Sequence, residues 1–316
     1  MRVLLAMDGS SSSHAARNLV GSLDWPEATR IRIVAVVEPL SADLVGIPPI
    51  PMRELDDREI AASLESGLAD AAVFLAKAGR TIETRLLHGR PASVIVEEAI
   101  DMQADLVVLG SRGLGTLRSM LLGSVSAEVV DHAPCPVLVA RASSIGPVLV
   151  AADGSETARR AVEHLADVRY LAGHRLQVLS VGPVLHAGRP QWALGMTEQA
   201  ARTIEDLVAE DRRRTEEHAA RAAEELRRAG YEVHWSIGAG DPAHEIIEAA
   251  ENFDCDLIVL GSRGLTGLDR IFLGSVARNV LLHSPTSVLI VREPIRERHD
   301  DRVRERVAQP ALSPIG

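Results

Sequence analysis

Short apolar runs alternate with longer amphipathic segments along the first half of the chain. The apolar runs are rich in β-branched residues, which is typical of buried parallel strands. The segments between them carry hydrophobic residues at every third or fourth position, which indicates helices. The predicted strands are 2–7, 31–37, 81–87, 106–109 and 137–141, and the predicted helices are 13–23, 56–78, 92–102 and 125–132.

The second half of the chain repeats the first. Residues 148–155 read VLVAADGS where residues 3–10 read VLLAMDGS. Residues 256–292 match residues 105–141 at 20 of 37 positions. A period this long indicates a duplicated domain rather than a solenoid. We therefore predict one domain at 1–142 and a second at 146–293.

Strands that alternate with helices predict parallel sheets covered by helices on both faces. The fold class is therefore α/β, with two tandem Rossmann-like domains. Residues 294–316 stand outside the repeat, where charges of both signs run into two prolines. We expect a disordered tail there, with a partner-binding helix as the alternative.

Composition and charge narrow the classes of function. The net charge of −10 argues against a nucleic-acid-binding or anionic-membrane surface, which needs a basic footprint. No apolar run reaches the ~18 residues of a membrane span, and the N-terminus lacks a signal-peptide pattern. We therefore expect a cytoplasmic protein. Cys135 and Cys255 are expected to be buried apolar side chains rather than a redox pair.

A glycine motif follows the fourth predicted strand of each half. Gly110, Gly113 and Gly123-Ser124 have the same spacing as Gly261, Gly264 and Gly274-Ser275. A glycine lets the backbone approach a ligand and adopt positive φ, and the start of a helix favours phosphate. Arg112 and Arg263 are either phosphate ligands or solvated side chains. The alternative for the glycines is tight packing of strand against helix.

An Asp-Gly-Ser sequence follows the first strand of each half, beginning at Asp8 and at Asp153. Ligands of parallel α/β sheets bind at the carboxyl ends of the strands, where the strand order reverses. If the first and fourth strands are neighbours, each aspartate faces the glycine motif of its own domain. This arrangement predicts one nucleotide site in each half.

These motifs, together with Gly89/Pro91 and Gly240/Pro242, resemble a tandem universal stress protein of the ATP-binding class. The resemblance covers about residues 1–293. It implies a five-stranded parallel sheet of order 3-2-1-4-5 in each domain and ATP as the ligand, alone or with Mg²⁺. It also implies that the two domains pair through their last strands, at 137–139 and 288–290, and it leaves open a homodimer of whole chains.

By the same resemblance, the aspartates lie at the adenosine, Val37 and Val181 meet adenine through their backbone, and the glycines and serines hold ribose and phosphates. No residue is assigned a catalytic or metal-binding role. The predicted ATP-binding residues are Asp8, Gly9, Val37, Gly89, Gly110, Arg112, Gly113, Gly123, Ser124 and Val125 in the first domain, and Asp153, Gly154, Val181, Gly240, Gly261, Arg263, Gly264, Gly274, Ser275 and Val276 in the second.

The two halves also differ. Asp241 stands where the first half has Arg90, and the loops at 38–55 and 182–197 share little sequence. Unequal affinity at the two sites is therefore a reasonable hypothesis.

Signatures of nucleotide chemistry are missing from the sequence. The glycine motif has no Walker lysine, and neither the His-x-Gly-His nor the Lys-Met-Ser-Lys-Ser signature is present. His132 and His283 are predicted at helix C-termini, far from the phosphates. We favour an ATP-binding regulatory protein of the stress or dormancy response, with at most slow hydrolysis and an unknown protein partner. A partner-dependent ATPase and a non-binding scaffold remain as alternatives.

Overall fold

A computed structural model describes residues 1–38, 57–77, 80–113, 122–183, 198–264 and 273–292. The predicted tail at 294–316 and most of the two dissimilar loops lie outside these ranges. The first half contains β1 (Arg2–Ala6), α1 (Ser11–Ser22), β2 (Arg30–Val37), α2 (Asp57–Leu75), β3 (Thr81–His88), α3 (Pro91–Asp101), β4 (Leu106–Gly110), α4 (Ser124–His132) and β5 (Val137–Ala140).

The second half has the same order of elements. It contains β6 (Val148–Ala151), α5 (Glu156–Asp167), a 3-10 turn (Arg169–Leu171), β7 (Arg175–Gly182), α6 (Glu198–Arg228), β8 (Glu232–Ala239), α7 (Pro242–Asn252), β9 (Leu257–Gly261), α8 (Ser275–His283) and β10 (Ser287–Val291). Hydrophobic periodicity thus located each strand and helix of the first half to within a few residues.

All ten strands form one sheet, in the order β3-β2-β1-β4-β5-β10-β9-β6-β7-β8. Within each half the strands are parallel and their order is 3-2-1-4-5, as the resemblance implied. The halves join where β5 pairs antiparallel with β10, with Leu138 opposite Leu289. The two five-stranded sheets are therefore continuous.

The sheet separates two hydrophobic layers, and each layer runs through both halves. Helices α1, α2, α5 and α6 pack on one face, and α3, α4, α7 and α8 pack on the other. The central strands β1, β4 and β9 are buried on both faces, which explains their continuous apolar sequences. The edge strands β3 and β8 are partly exposed, and their sequences mix polar and apolar residues.

Both cysteines are free and buried, as expected. Burial raises the pKa of Cys135 to about 12 and that of Cys255 to about 11. Both side chains therefore remain thiols near neutral pH, a state that gives little redox reactivity. Among the helices described, none is long and apolar enough to cross a membrane.

Candidate functional site

The Asp-Gly-Ser sequence after β1 joins two walls of a cleft. The Asp8 carboxylate accepts a hydrogen bond from the Ser10 backbone N–H at 3.0 Å, and Gly9 turns the chain with φ of 79°. The Ser10 hydroxyl oxygen caps α1 by accepting from the Ser13 N–H. The same hydroxyl donates to the Arg112 carbonyl at 3.2 Å. This serine therefore ties the end of β1 to the glycine motif after β4.

The glycine motif brings the start of α4 back onto the end of β4. The Gly123 N–H donates to the Ser111 carbonyl at 2.7 Å, and α4 begins at Ser124. The Ser126 hydroxyl donates to the Gly110 carbonyl at 2.8 Å. Gly123 has no side chain to cap the helix, so the first backbone N–H groups of α4 remain available to an anion.

Between these walls lies a cleft of about 570 Å³, a size typical of small-molecule sites. It opens at the carboxyl ends of β1, β2 and β4. Its lining residues are Ala6, Met7, Asp8, Ser13, Val34, Val36, Glu38, Pro91, Ile95, Leu109, Gly110, Arg112, Gly113, Leu122, Gly123, Ser124, Val125 and Ser126. One end is mainly aliphatic, and the other combines the glycine motif with the N-terminus of α4.

The structure brings Asp8 and the glycine motif together. A Cβ atom added to Gly113 would lie 2.7 Å from Asp8 Oδ2, so this glycine admits the carboxylate at close range. Seven of the ten residues predicted for the first domain line the cleft. They are Asp8, Gly110, Arg112, Gly113, Gly123, Ser124 and Val125.

Gly9, Gly89 and Val37 are not among the lining residues. Gly9 and Gly89 are turn residues, with φ of 79° and 135°. Val37 is buried, and its carbonyl accepts from the Gly89 N–H at 3.1 Å. Side chains alternate along a strand, so β2 presents Val34 and Val36 to the cleft. The sequence pattern could have shown this if the face of β2 that points toward the cleft had been known. The contact of adenine with the Val37 backbone stays a prediction.

The structure corrects the prediction of positive φ within the glycine motif, because Gly110 and Gly113 are absent from the residues with that conformation. A Cβ atom on Gly110 would lie 2.6 Å from the Ser12 carbonyl carbon of α1. Gly110 therefore serves the close packing of a helix on a strand, the alternative considered above. A Cβ atom on Gly123 would approach Arg112 Cα only to 3.4 Å, an ordinary contact.

The second half reproduces this frame. Asp153 accepts from the Ser155 N–H at 2.9 Å, and the Ser155 hydroxyl donates to the Arg263 carbonyl at 3.3 Å. The Gly274 N–H donates to the Ser262 carbonyl at 2.8 Å. A Cβ atom on Gly264 would lie 3.0 Å from Asp153 Oδ2, and one on Gly261 would clash with Thr157 of α5. Ser275 and Val276 begin α8 as Ser124 and Val125 begin α4.

Comparison with known proteins agrees with this duplicated architecture. The model of the universal stress protein family matches residues 1–141 and again residues 145–292. The chain belongs to the universal stress protein family. A universal stress protein of Mycolicibacterium smegmatis is 27% identical over 302 residues, covering 92% of this chain and 96% of its own. One from Thermus aquaticus is 37% identical over 140 residues, covering 44% of this chain and 97% of its own.

A solved structure shows the same fold. The crystal structure of a universal stress protein from Archaeoglobus fulgidus aligns with a TM-score of 0.59 and 24% sequence identity. The alignment covers 94% of this chain and 97% of that chain. The tandem arrangement of two universal stress domains is therefore shared by this solved relative.

The register of β7 and β8 matches that of β2 and β3, but a residue of the edge strand differs between the two universal stress domains. Val36 pairs with Leu87, and Val181 pairs with Gly238, at the equivalent place in the second sheet. Val181 therefore corresponds to Val36, whereas the counterpart of Val37 is Gly182. Val37 and Val181, each chosen as the last residue of a predicted second strand, are therefore not equivalent positions. The offset of 145 residues between Asp8 and Asp153 relates Val36 to Val181.

The two universal stress domains also differ in the position of an acidic residue. Glu38 lines the first cleft, and Pro183 holds the corresponding position in the second domain. Glu245 of α7 lies over the end of β8, with Oε2 2.8 Å from the place of a Cβ on Gly238. Gly240, with φ of 152°, is a turn residue like Gly89, and Gly154, with φ of 77°, corresponds to Gly9. The two domains thus share the frame around the glycine motif and differ near the ends of their second and third strands.

The remaining side chains of interest are possible metal ligands, the two equivalent histidines, and Arg90 and Asp241. Within the residues that the structure describes, no group of three or more His, Cys, Asp or Glu side chains is arranged to hold a metal ion. His132 and His283 are the last residues of α4 and α8, as predicted, and a ring nitrogen of His132 lies 2.9 Å from the Glu128 carbonyl. Asp241 caps α7 by accepting from the His244 N–H, whereas Arg90 pairs with Glu128.

Proposed function

We propose that this universal stress protein is a cytoplasmic, ATP-binding regulator of the stress response, with one nucleotide site in each domain. The observation that carries the proposal is the cleft of the first domain. Its aliphatic end and its polar, helix-N-terminal end lie side by side at the switch point of a parallel sheet. The repeated frame at Asp153 and the second glycine motif supports a second site.

The aliphatic end suits a purine base. Val36 of β2 and Ile95 of α3 present branched side chains to the cleft, and Pro91 adds a flat apolar ring. A purine inserted there buries its faces against carbon, which is favourable at about 25 cal/mol per Å². The Glu38 carboxylate, also in the lining, is an acceptor for the exocyclic amino group of adenine.

The opposite end suits phosphates. The N-terminus of α4 offers unpaired N–H groups and the positive end of the helix dipole, and Arg112 adds a full positive charge. Asp8, between the two ends, is placed to accept hydrogen bonds from ribose hydroxyls. A Mg²⁺ ion that accompanied ATP would keep mainly phosphate and water ligands, as this ion usually does.

The geometry supports binding ATP better than consuming it. Hydrolysis needs an aligned water and stabilisation of the transition-state charge. Among the lining residues that the structure describes, the titratable side chains are Asp8, Glu38 and Arg112, and one oxygen of Asp8 already holds the turn. We therefore assign the nucleotide a regulatory role, and the kind of partner that reads its presence is left open.

Calorimetric titration of the purified full chain, freed of nucleotide, tests the proposal. ATP should bind at two per chain, and ATP should also be recovered from protein that is heated directly after purification. Val36→Trp should remove one site by filling its aliphatic end, and Arg112→Gln should weaken the same site about tenfold by loss of a charge-assisted contact. Arg90→Gln is the control, because Arg90 pairs with Glu128 outside the lining.

Two results would contradict the proposal. Absence of ATP binding, with no thermal shift at millimolar ATP, would support the scaffold alternative. Release of ADP at many turnovers per minute would support the ATPase alternative.

A further inference from the structure

An arginine that follows β5 crosses from the first domain to the second. Arg141 Nη2 donates to the Leu281 carbonyl at 2.6 Å, and Nη1 donates to the Thr286 carbonyl at 3.1 Å. Leu281 belongs to the last turn of α8, where carbonyl groups lack helical partners. A positive charge at this end of a helix also stabilises the helix dipole. Arg141 therefore holds the C-terminus of α8.

The second domain returns the same contact. Arg292 follows β10, and its Nη1 donates to the Val130 carbonyl in the last turn of α4 at 2.6 Å. An ion pair between Arg278 of α8 and Asp131 of α4, at 3.0 Å, lies between the two arginine contacts. We call these contacts, together with the β5–β10 pair, the domain seam.

Each seam arginine lies near the arginine of the glycine motif in its own domain. Strands β4 and β5 are neighbours, with Gly110 opposite Ala140, so Arg112 and Arg141 leave adjacent strand ends. The Ser111 N–H donates to the Ala140 carbonyl at 3.0 Å, which holds the two ends together. Burial, followed by the positive charge of Arg112, lowers the pKa of Arg141 to about 10.

Arg263 and Arg292 form the equivalent pair of positive charges in the second domain. Burial and the positive charge of Arg263 lower the pKa of Arg292, against the opposing charge of Asp131. Each domain therefore holds two neighbouring positive charges, one in its glycine motif and one that contacts the other domain. The repulsion within each pair weakens the hold of the seam arginine on its helix.

Helices α4 and α8 each begin at the glycine motif of their own domain and end at the seam arginine of the other domain. The N-terminus of α8, at Ser275, belongs to the proposed site of the second domain, which we call the second cleft, and its C-terminus is held by Arg141 beside the first cleft. The N-terminus of α4, at Ser124, belongs to the first cleft, and its C-terminus is held by Arg292 beside the second. Each helix has 9 residues, or about 13 Å at 1.5 Å per residue.

We propose that Arg141 and Arg292 couple the two clefts across the domain seam, so that ATP bound in one domain raises the affinity of the other. The inference rests on the proposed function. A phosphate beside Arg112 neutralises the repulsion of Arg141, which then holds the C-terminus of α8 more firmly. The firmer helix presents its N-terminal N–H groups to the phosphates in the second cleft. Coupling free energies are reciprocal, so ATP in the second cleft acts on the first by the same factor.

The test measures ATP affinity at the second cleft with the first cleft open or closed. Val36→Trp closes the first cleft at its aliphatic end, away from Arg112 and the domain seam. In otherwise wild-type protein, this closure should weaken ATP at the second cleft by about fivefold or more, the usual lower range of such couplings. In the Arg141→Gln/Arg292→Gln background, closure should change the affinity less than twofold.

Two controls separate coupling from damage to the fold. Arg278→Gln removes an ion pair of the domain seam and leaves the hydrogen bonds of Arg141 and Arg292 in place, so the fivefold effect should remain. Circular dichroism and the midpoint of thermal unfolding establish that each variant is folded. The comparison of wild-type protein with Val36→Trp alone needs no seam variant, and it tests the coupling even if the double variant does not fold.

The outcomes of this experiment are distinct. Equal affinity at the second cleft with the first cleft open or closed would overturn the coupling and leave the proposed function standing. Loss of the effect in Arg278→Gln as well would overturn the role of the two arginines. A wild-type chain that binds no ATP would overturn the proposed function and the coupling together.

Discussion

Substitution of Gly110 by alanine tests whether this glycine of the phosphate motif serves packing. The added Cβ atom would lie 2.6 Å from the Ser12 carbonyl carbon and 2.8 Å from the Ser12 carbonyl oxygen. Both atoms belong to the backbone of α1, so they cannot rotate away as the end of a side chain can. Helix α1 or strand β4 must therefore move by about 0.8 Å to restore ordinary contact.

The expected cost follows from this geometry. Insertion of a carbon atom into a well-packed core costs about 1–3 kcal/mol, and rigid backbone neighbours favour the upper end. Alanine also lowers the conformational entropy of the unfolded chain, which stabilises the folded state by about 0.4–1 kcal/mol. The free energy of unfolding of Gly110→Ala should therefore fall by about 2 kcal/mol. Gly261→Ala should behave alike, since its Cβ would clash with the backbone carbonyl of Thr157 in α5.

Gly123→Ala is the matched control. Its Cβ would meet Arg112 Cα at 3.4 Å, and the φ of −80° at Gly123 suits alanine. The free energy of unfolding should change by no more than about 0.5 kcal/mol, because restriction of the unfolded chain offsets the poorer helix cap. Urea unfolding followed by circular dichroism measures all three variants. The reasoning fails if Gly110→Ala is as stable as the wild type, or if Gly123→Ala costs more.

Two further predictions concern buried polar groups. Burial lowers the pKa of His164 to about 4, and Nε2 lies 3.0 Å from the Tyr170 hydroxyl. In the unfolded chain the imidazole takes up a proton near pH 6.5, but in the folded protein it does so only near pH 4. The free energy of unfolding should therefore fall by up to about 3 kcal/mol as the pH decreases from 6.5 to 4. In urea titrations across this range, His164→Gln should show a shallower pH dependence, and an unchanged slope would exclude His164 as the cause. Glu98, nearly fully buried, accepts from Arg32 at 2.6 Å, so Glu98→Gln should cost about 2 kcal/mol. The exposed residue Glu156 offers the control, since Glu156→Gln should leave the unfolding midpoint unchanged; equal effects of the two variants would contradict the role of burial.

Much of the fold could be predicted from periodicity and repetition. Continuous β-branched runs at 31–37 and 106–109 identified buried parallel strands, because both faces of such strands meet helices. The duplicated Asp-Gly-Ser and glycine motifs correctly brought Asp8 next to Gly113, since adjacent parallel strands end at the same edge. The face of a strand could not be predicted in the same way. The sequence does not show which face of β2 points toward the cleft, so the lining side chains of Val34 and Val36 were not identified.

The sequence by itself determined the alternation of strands and helices, the duplication into two α/β halves and the repeated glycine and Asp-Gly-Ser motifs. These properties depend on local patterning and on motif spacing, which the chain contains directly. Only the tertiary structure showed that Gly110 and Gly113 have different roles. Gly110 leaves room for the backbone of α1, and Gly113 leaves room for the carboxylate of Asp8. The tertiary structure alone showed that Arg141 joins the two domains, because that contact spans 140 residues of sequence. Distances between remote segments arise from packing, and composition and periodicity do not record them.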